Sequence, residues 1–226
     1  ARVITYGINA AADVRGEVQE FGLNGARFLV RFFGEKTVIH TPFIGLHNVY
    51  NILAAFGAGL GEGFPPELIK QGIESLRCVP GRLERVDAGQ DFFIFIDYAH
   101  TDDGLKNVLE SLQAVKHERI IVVFGCGGDR DRTKRPRMGR VACELADLSI
   151  LTSDNPRSED PESIIQETIP GFTKKTFEIV PDREQALERA LALARKNDIV
   201  LLAGKGHETY QVLKDQTIDF VERDIV

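Results

Sequence analysis

Nowhere in the 226 residues is there an apolar run of the roughly twenty positions that a membrane-spanning helix needs, and no cleavable signal pattern is present. A membrane partner is therefore not expected. Positive charge is not in surplus either. Lys and Arg number 28 against 34 Asp and Glu, a net charge of −6. That balance argues against a general nucleic-acid surface but leaves room for anionic ligands at local basic clusters such as 130-RDRTKRPR-137. Cysteine is scarce: Cys78, Cys126 and Cys143 are scattered, odd in number and without metal-ligand spacing. They read as reduced thiols of a cytoplasmic protein, with no metal held by this chain. Internal repeats, low-complexity segments and a long disordered tail are missing. So is the phosphate loop G-x-x-x-x-G-K-[ST]: 203-AGKGHET-209 looks superficially similar but has Gly206 after Lys205 where Ser or Thr is required. A nucleoside triphosphate cannot be cradled here by that device.

The remaining composition, 43% hydrophobic and 27% charged, is that of an ordinary globular protein with room for two domains or one large one. The chain moves at once into 2-RVITYGI-8, which reads as a strand already in progress, and we expect a piece of a longer protein. Short β-like runs follow at 14-VRGEVQEF-21, 26-ARFLVRFF-33 and 37-TVIHTPFI-44, with Asn24-Gly25 signalling a hairpin. The period then changes. In 47-HNVYNILAAFGAGL-60, Val49, Ile52, Leu53 and Phe56 share one helical face, and 65-PPELIKQGIESL-76 opens a second helix with proline in its first turn.

The segment 77-RCVPGRLERV-86 reads as a linker, dividing the chain into 1–78 and 79–226. Beyond it, strands at 91–98, 119–125, 148–152, 176–180 and 198–204 alternate with helices near 102–116, 135–146, 161–168 and 182–196. Continuous apolar strands separated by amphipathic helices predict an α/β fold, a mostly parallel sheet with helices on both faces. Ligands of such a sheet bind outside the carboxyl ends of its strands. Four of the five expected strand ends carry polar groups: 97-DYAHTDDG-104, 125-GCGGDRDRTKR-135, 152-TSDNPR-157 and 203-AGKGHET-209.

Read singly, each loop has two meanings. The glycines at 125–128 either cradle an anion with Arg130 beside it or form a flexible turn with solvated cations. Asp97 either accepts hydrogen bonds from a ribose or belongs to a capping turn that includes Thr101. Asn48 and Asn51, three residues apart on one helix side, either read an adenine edge or are a cap and an exposed residue. Asp154, Asn155, Pro156 and Arg157 are either a β-turn or a binding loop.

Together, 45-GLHNVYNILAA-55, 80-PGRLE-84, 97-DYAHTDDG-104, 125-GCGGDRDRTKRPRMG-139, 154-DNPR-157 and 204-GKGHETYQ-211 stand in an order that resembles the Mur ligases of bacterial cell-wall synthesis, over essentially the whole chain. The likeness is to those members that add meso-2,6-diaminopimelate to UDP-N-acetylmuramoyl-L-Ala-D-Glu. It implies a Rossmann-like C-terminal domain preceded by the last part of a central ATP-binding domain. The phosphate loop, a modified magnesium-associated lysine and a UDP-binding domain would then lie upstream. It also implies ATP-dependent amide formation through an acyl phosphate, with Mg2+ held mostly by the upstream part, and we expect a monomer. By the same resemblance Asn48 and Asn51 face the adenine, Arg82 and Asp97 touch phosphate or ribose, and His100 and Lys134 lie near the phosphates. The segment Asp154–Arg157 is the diaminopimelate motif, with Asn155 and Arg157 as contacts, joined by Arg130, Gly204 and Glu208. Two positions depart from the family: Asp102 stands where proline is usual and Arg132 where lysine is common. Two rivals remain, a folylpolyglutamate synthetase-like ligase and an amino-acid or nucleotide-binding fragment without turnover.

Overall fold

The computed structural model describes residues 3–9, 11–115 and 117–226. Alternation of apolar and polar side chains lays down the first sheet. It comprises β1 (Tyr6–Ile8), β2 (Val14–Gly22), β3 (Gly25–Phe32) and β4 (Glu35–Thr41), in that spatial order. β1 runs parallel to β2, and the other pairs are antiparallel. Inward-facing Val14, Phe28, Val30 and Ile39 are fully buried with Val49, Leu53 and Phe56 of α1 (Leu46–Gly61). The four residues expected on one helical face are thus buried. Pro65 and Pro66 start α2 (Pro66–Ser75), where a missing N–H costs nothing.

Three details differ from the expectations. The first strand shortens to Tyr6–Ile8, and residue 2 lies outside the described residues. The β2–β3 turn is Leu23–Asn24, with Gly25 already paired to Gly22. Gly25 has φ +112, and a Cβ there would sit 1.9 Å from the Thr41 carbonyl oxygen, so close backbone approach rather than the turn requires this glycine.

In the second part of the chain, β5 (Glu84–Val86), β6 (Phe93–Asp97), β7 (Ile120–Phe124), β8 (Leu148–Leu151), β9 (Phe177–Ile179) and β10 (Ile199–Ala203) form one sheet, ordered β5-β6-β10-β7-β8-β9. All neighbours are parallel except β5, which returns antiparallel along β6. The expected linker therefore ends inside the sheet. Ile94, Ile96, Ile121, Val123, Ile150, Val200 and Leu202 form one face, covered by Ala186, Leu187 and Ala190 of α6 (Arg183–Leu193). The alternate residues Phe95, Val122 and Leu201 are equally buried, so the sheet is covered on both faces. The remaining helices are α3 (Asp102–Gln113), α4 (Lys134–Leu145) and α5 (Pro161–Thr168). α3 ends before the expected 116, and residue 116 lies outside the described residues. The chain closes with a two-stranded ladder, β11 (Tyr210–Val212) and β12 (Thr217–Asp219), and a last turn of helix, α7 (Glu222–Ile225).

The chain divides into two compact units. One reaches Val79 and includes the short piece after Gln113; the other comprises Pro80–Gln113 and His117–Val226. The site described next lies wholly in the second.

Candidate functional site

The strands are added outward from β7 to β8 to β9, and the next crossover then runs back to insert β10 between β6 and β7. The order of strand addition thus reverses in the middle of the sheet while the strands stay parallel. That is where an open α/β sheet leaves a crevice at its strand ends. A cavity of about 380 Å³ lies there, lined by residues of the loops that follow β6, β7, β8 and β10. His100, Arg130, Lys134, Asp154, Asn155, Arg157, Gly204 and Glu208 all contribute to its wall. All eight are ligand residues expected from the four loops; of the two others expected there, Pro156 is buried and Asp97 is discussed below. A larger hollow of about 720 Å³ lies beside the β2–β3 turn of the first unit, but no motif residue reaches it.

The loops after β7 and β8 are bound to each other before any ligand arrives. Gly128 N–H donates to the Asn155 carbonyl at 2.9 Å. The Asp129 carboxylate accepts from Ser158 through its hydroxyl at 2.7 Å and its N–H at 3.2 Å, which holds Asp129 below the usual carboxylate pKa. A Cβ on Gly128 would lie 1.9 Å from the Pro156 carbonyl oxygen, so only glycine allows this approach. Beneath, the fully buried Arg135 grips Glu159 through both terminal nitrogens, at 3.1 and 2.9 Å, and reaches Glu167 at 2.7 Å. Glu159 in turn accepts the Asp129 N–H at 2.6 Å. The Arg135 bond, ahead of the Asp129 N–H, lowers the Glu159 pKa to about 2.

Arg157 stands on this clamped turn in the left-handed region, at φ +53, a conformation that a non-glycine residue keeps only when its surroundings impose it. Its Nη1 donates to the carbonyls of Gly128 at 2.8 Å and Asn155 at 3.3 Å. Among the described residues Nε and Nη2 have no hydrogen-bond partner, so one edge of the guanidinium is anchored and the other is open. Arg130 is exposed and uses one nitrogen on the Asp129 carbonyl at 3.0 Å.

Behind Asn155 lies a buried polar cluster that the sequence reading did not single out. Lys205 is fully buried, and its Nζ donates to the Tyr210 carbonyl at 2.7 Å, Asn155 Oδ1 at 3.1 Å and Glu208 Oε2 at 3.4 Å. Asn155 Nδ2 donates to Glu208 Oε2 at 2.9 Å, and Gln211 Nε2 donates to the Asp154 carbonyl. One signal was available: Lys205 directly follows a strand of five apolar residues and one glycine, where the chain is still inside the fold.

The residues expected near ATP are distributed differently. Lys134 donates to the His100 carbonyl at 2.7 Å. His100 Nδ1 lies 2.8 Å from the Tyr98 carbonyl; a carbonyl only accepts, so Nδ1 carries a proton and donates it there. Arg82 is exposed, with its guanidinium carbon 5.3 Å from the Tyr98 ring centre. Asn48 and Asn51 lie on α1 of the first unit. Asn48 donates back to the Ile44 carbonyl at 2.8 Å, and Asn51 Nδ2 lies 3.5 Å from Asn48 Oδ1. Both departures from the family pattern have partners: Asp102 pairs with Arg137 at 3.0 Å, and Arg132 with Glu159 at 2.8 Å.

Asp97 is buried, and its two oxygens accept the N–H groups of Leu83 at 2.7 Å and Ala99 at 2.8 Å. It does not line the cavity; it holds the segment after Gly81 against the end of β6. Asp97→Ala should destabilise the second unit by about 1–3 kcal/mol, since it strands buried backbone donors. Asp97→Asn, which retains one acceptor, should lose less. Urea unfolding separates these outcomes, and equal stability of both variants and wild type would exclude the clamp.

The sequence pattern of the Mur ligase glutamate ligase domain matches residues 81–206, more than half of the chain, and that of the Mur ligase middle domain matches residues 1–59. The chain belongs to the Mur ligase family. Among curated Mur ligases, it is 51% identical over 222 residues to the UDP-N-acetylmuramoyl-L-alanyl-D-glutamate--2,6-diaminopimelate ligase of Solibacter usitatus, across 97% of this chain and 45% of that protein. The protein of the same name from Syntrophomonas wolfei is 46% identical, across 98% of this chain and 46% of its own length. A solved Mur ligase structure bearing that name superposes with a TM-score of 0.71 at 34% identity, over 98% of this chain and 46% of its own. Folylpolyglutamate synthase from Thermotoga maritima reaches a TM-score of 0.68 at 21% identity, over 87% of this chain and 44% of its own; that is a likeness of fold alone. The chain spans about half the length of the curated relatives it matches.

Proposed function

We propose that this chain is the amino-acid-binding half of an ATP-dependent ligase that joins meso-2,6-diaminopimelate to UDP-N-acetylmuramoyl-L-Ala-D-Glu. Residues 1–78 are then the last part of the central ATP-binding domain and 79–226 the Rossmann-like C-terminal domain. The observation that carries the substrate assignment is the open edge of Arg157 in the same cavity wall as Asp154 and Glu208. meso-Diaminopimelate differs from lysine by a second carboxylate. With Nη1 tied to backbone, Arg157 receives that carboxylate side-on, through Nε and Nη2, in a two-bond charge-assisted contact. Lysine would leave these donors facing nothing, and unpaired polar groups reject an analogue more strongly than an apolar wall does. Asp154 and Glu208 suit an ammonium group.

The reaction follows from the chemistry of a carboxylate, whose oxygen is a poor leaving group. Transfer of the γ-phosphoryl group of ATP to the muramoyl dipeptide's carboxylate gives an acyl phosphate. The unprotonated amine of the incoming amino acid attacks the acyl carbon, the C–N bond forms, and phosphate leaves. This chain's share is to hold the amino acid so that its amine is in line for attack. Asn48, Asn51, Arg82, His100 and Lys134 are the proposed ATP contacts, with Asp97 as the clamp behind Arg82. Among the described residues no group of three His, Cys, Asp or Glu side chains could hold a metal ion, and Mg2+ is proposed to be held mostly by the part of the enzyme upstream of this chain. No helix of the described chain is long and apolar enough to cross a membrane, and the enzyme is proposed to be a cytoplasmic monomer.

Calorimetry with meso-diaminopimelate, L-lysine and L-glutamate, together with turnover of the same three by a full-length ligase carrying this chain, tests the assignment. Preference for meso-diaminopimelate is expected. Equal use of lysine would defeat the substrate claim, and preference for glutamate would favour the folylpolyglutamate synthetase-like reading. Binding by the chain without turnover by the full-length protein would leave only a binding module.

A further inference from the structure

We propose that Lys205 is a positioning residue of the amino-acid site: its ammonium fixes which way the Asn155 amide faces and turns Glu208 so that one carboxylate oxygen stays open to the cavity. This deepens the substrate reading above, and its ligand part rests on that reading.

The orientation follows from counting donors. Asn155 Oδ1 lies 3.1 Å from Lys205 Nζ and 2.9 Å from the Val212 N–H. An ammonium and an amide N–H can only donate, so the Asn155 atom facing both must be its oxygen. The NH₂ group is then directed at Glu208 Oε2, 2.9 Å away. Without the ammonium, Oδ1 would be held by the Val212 N–H alone, and Glu208, which receives the NH₂, would itself lose one of the two donors that hold Oε2. Glu208 Oε2 accepts twice, from Asn155 and from Lys205, whereas Oε1 has no hydrogen-bond partner among the described residues. Glu208 and Asn155 both line the cavity; Lys205 does not.

Lys205 has no hydrogen left for a ligand. Its three are taken by Tyr210, Asn155 and Glu208, and the residue has no solvent exposure. It must therefore act through its neighbours. Asp154 Oδ1 lies 3.7 Å from Nζ, is buried and has no hydrogen-bond partner of its own. Two carboxylates around one ammonium leave a net charge of −1 at this end of the cavity, which matches a single incoming ammonium. Burial, with the nearby Arg183 cation, pulls the Lys205 pKa below the usual lysine value, while Asp154 and Glu208 oppose that shift; Arg183 is itself paired with Glu222.

The test is NMR of the 226-residue chain, wild type and Lys205→Met, with affinity for meso-diaminopimelate measured on a full-length ligase carrying the same two sequences. Methionine keeps a long unbranched side chain and removes the charge. In the wild type, the Lys205 ammonium hydrogens should be protected from solvent exchange and should show contacts to Asn155 and Val212. In Lys205→Met the Asn155 side-chain amide signal should move, amide signals remote from the crevice should stay in place, and affinity for meso-diaminopimelate should fall roughly 10–100-fold, as when outer-shell support is removed. A Lys205 ammonium exchanging as freely as those of surface lysines would overturn the proposal even if the variant failed to fold. A folded variant binding within twofold of wild type would do the same. If the wild type shows the protected ammonium and the fixed amide but a full-length ligase carrying this chain neither binds nor prefers meso-diaminopimelate, the positioning role is supported and the substrate assignment fails.

Discussion

In a full-length ligase carrying this chain, Arg157→Ala should lower kcat/KM for meso-diaminopimelate by roughly 30–300-fold, while the already poor value for L-lysine changes little. The size follows from truncating one partner of a partly buried charge pair, which costs about 2–5 kcal/mol; the lower part of that range applies because Arg157 is only half-buried. Arg157→Lys should recover little. An ammonium can replace the bond from Nη1 to the Gly128 carbonyl or approach the ligand, but it cannot offer an anchored edge and an open edge together. The loss should appear mainly in KM, because the contact is made before and during reaction alike. Alanine retains the positive φ of this position, so the turn remains strained and loses the bonds that hold it. A melting curve on the same variant therefore accompanies the kinetics. Equal losses for diaminopimelate and lysine, with a lowered melting temperature, would mean that Arg157 serves the turn and not the substrate.

The sequence made the sheet legible because its physics is local. Five apolar runs, four of them followed by conspicuously polar loops, all prove to be strands, β6 to β10. The crevice was legible for the same reason, since a parallel sheet collects its strand ends at one edge. The short elements were not. β5 is three residues long, and its place beside β6 comes from long-range pairing of Glu84 with Ile96, which no local pattern announces. The β11–β12 ladder hides behind polar residues for the same cause. Within the site, the residues facing the cavity could be named from their loops. The supports could not: Lys205 and Arg135 are cations in sequence, and only tertiary packing makes them fully buried. Asp97 shows the reverse. Its position at a strand end suggested a ligand, but the nearest unsatisfied donors are backbone N–H groups of its own fold.

Arg135→Ala should strongly destabilise the second unit, by about 3–5 kcal/mol, because it removes the fully buried partner of Glu159 and of the Gly127 carbonyl and leaves Glu159 only the exposed Arg132 and the Asp129 N–H. At roughly 2–4 °C per kcal/mol for a chain of this size, the melting temperature should fall by about 6–20 °C. The effect also has a pH signature. Glu159 is held near 2 in the folded protein against an ordinary 4.5, chiefly by the Arg135 hydrogen bonds. A carboxylate with a depressed folded pKa stabilises fully above its unfolded value, and that contribution fades as pH falls from 4.5 towards 2. Wild type should therefore lose stability steeply across that window, and Arg135→Ala should lose less, having forfeited the coupling already. Urea unfolding at pH 7 and pH 3 measures both slopes; parallel losses in the two proteins would show that the pair does not set the acid limit. The same bonds reach the ligand site. Glu159 holds the Asp129 N–H and Arg135 approaches the Gly127 carbonyl, so the loop that carries Arg130 and accepts from Arg157 rests on this ion pair. If it does, Arg135→Ala should also weaken binding of meso-diaminopimelate at temperatures where the variant is still folded, and restoring the fold with a stabilising salt should not restore that affinity.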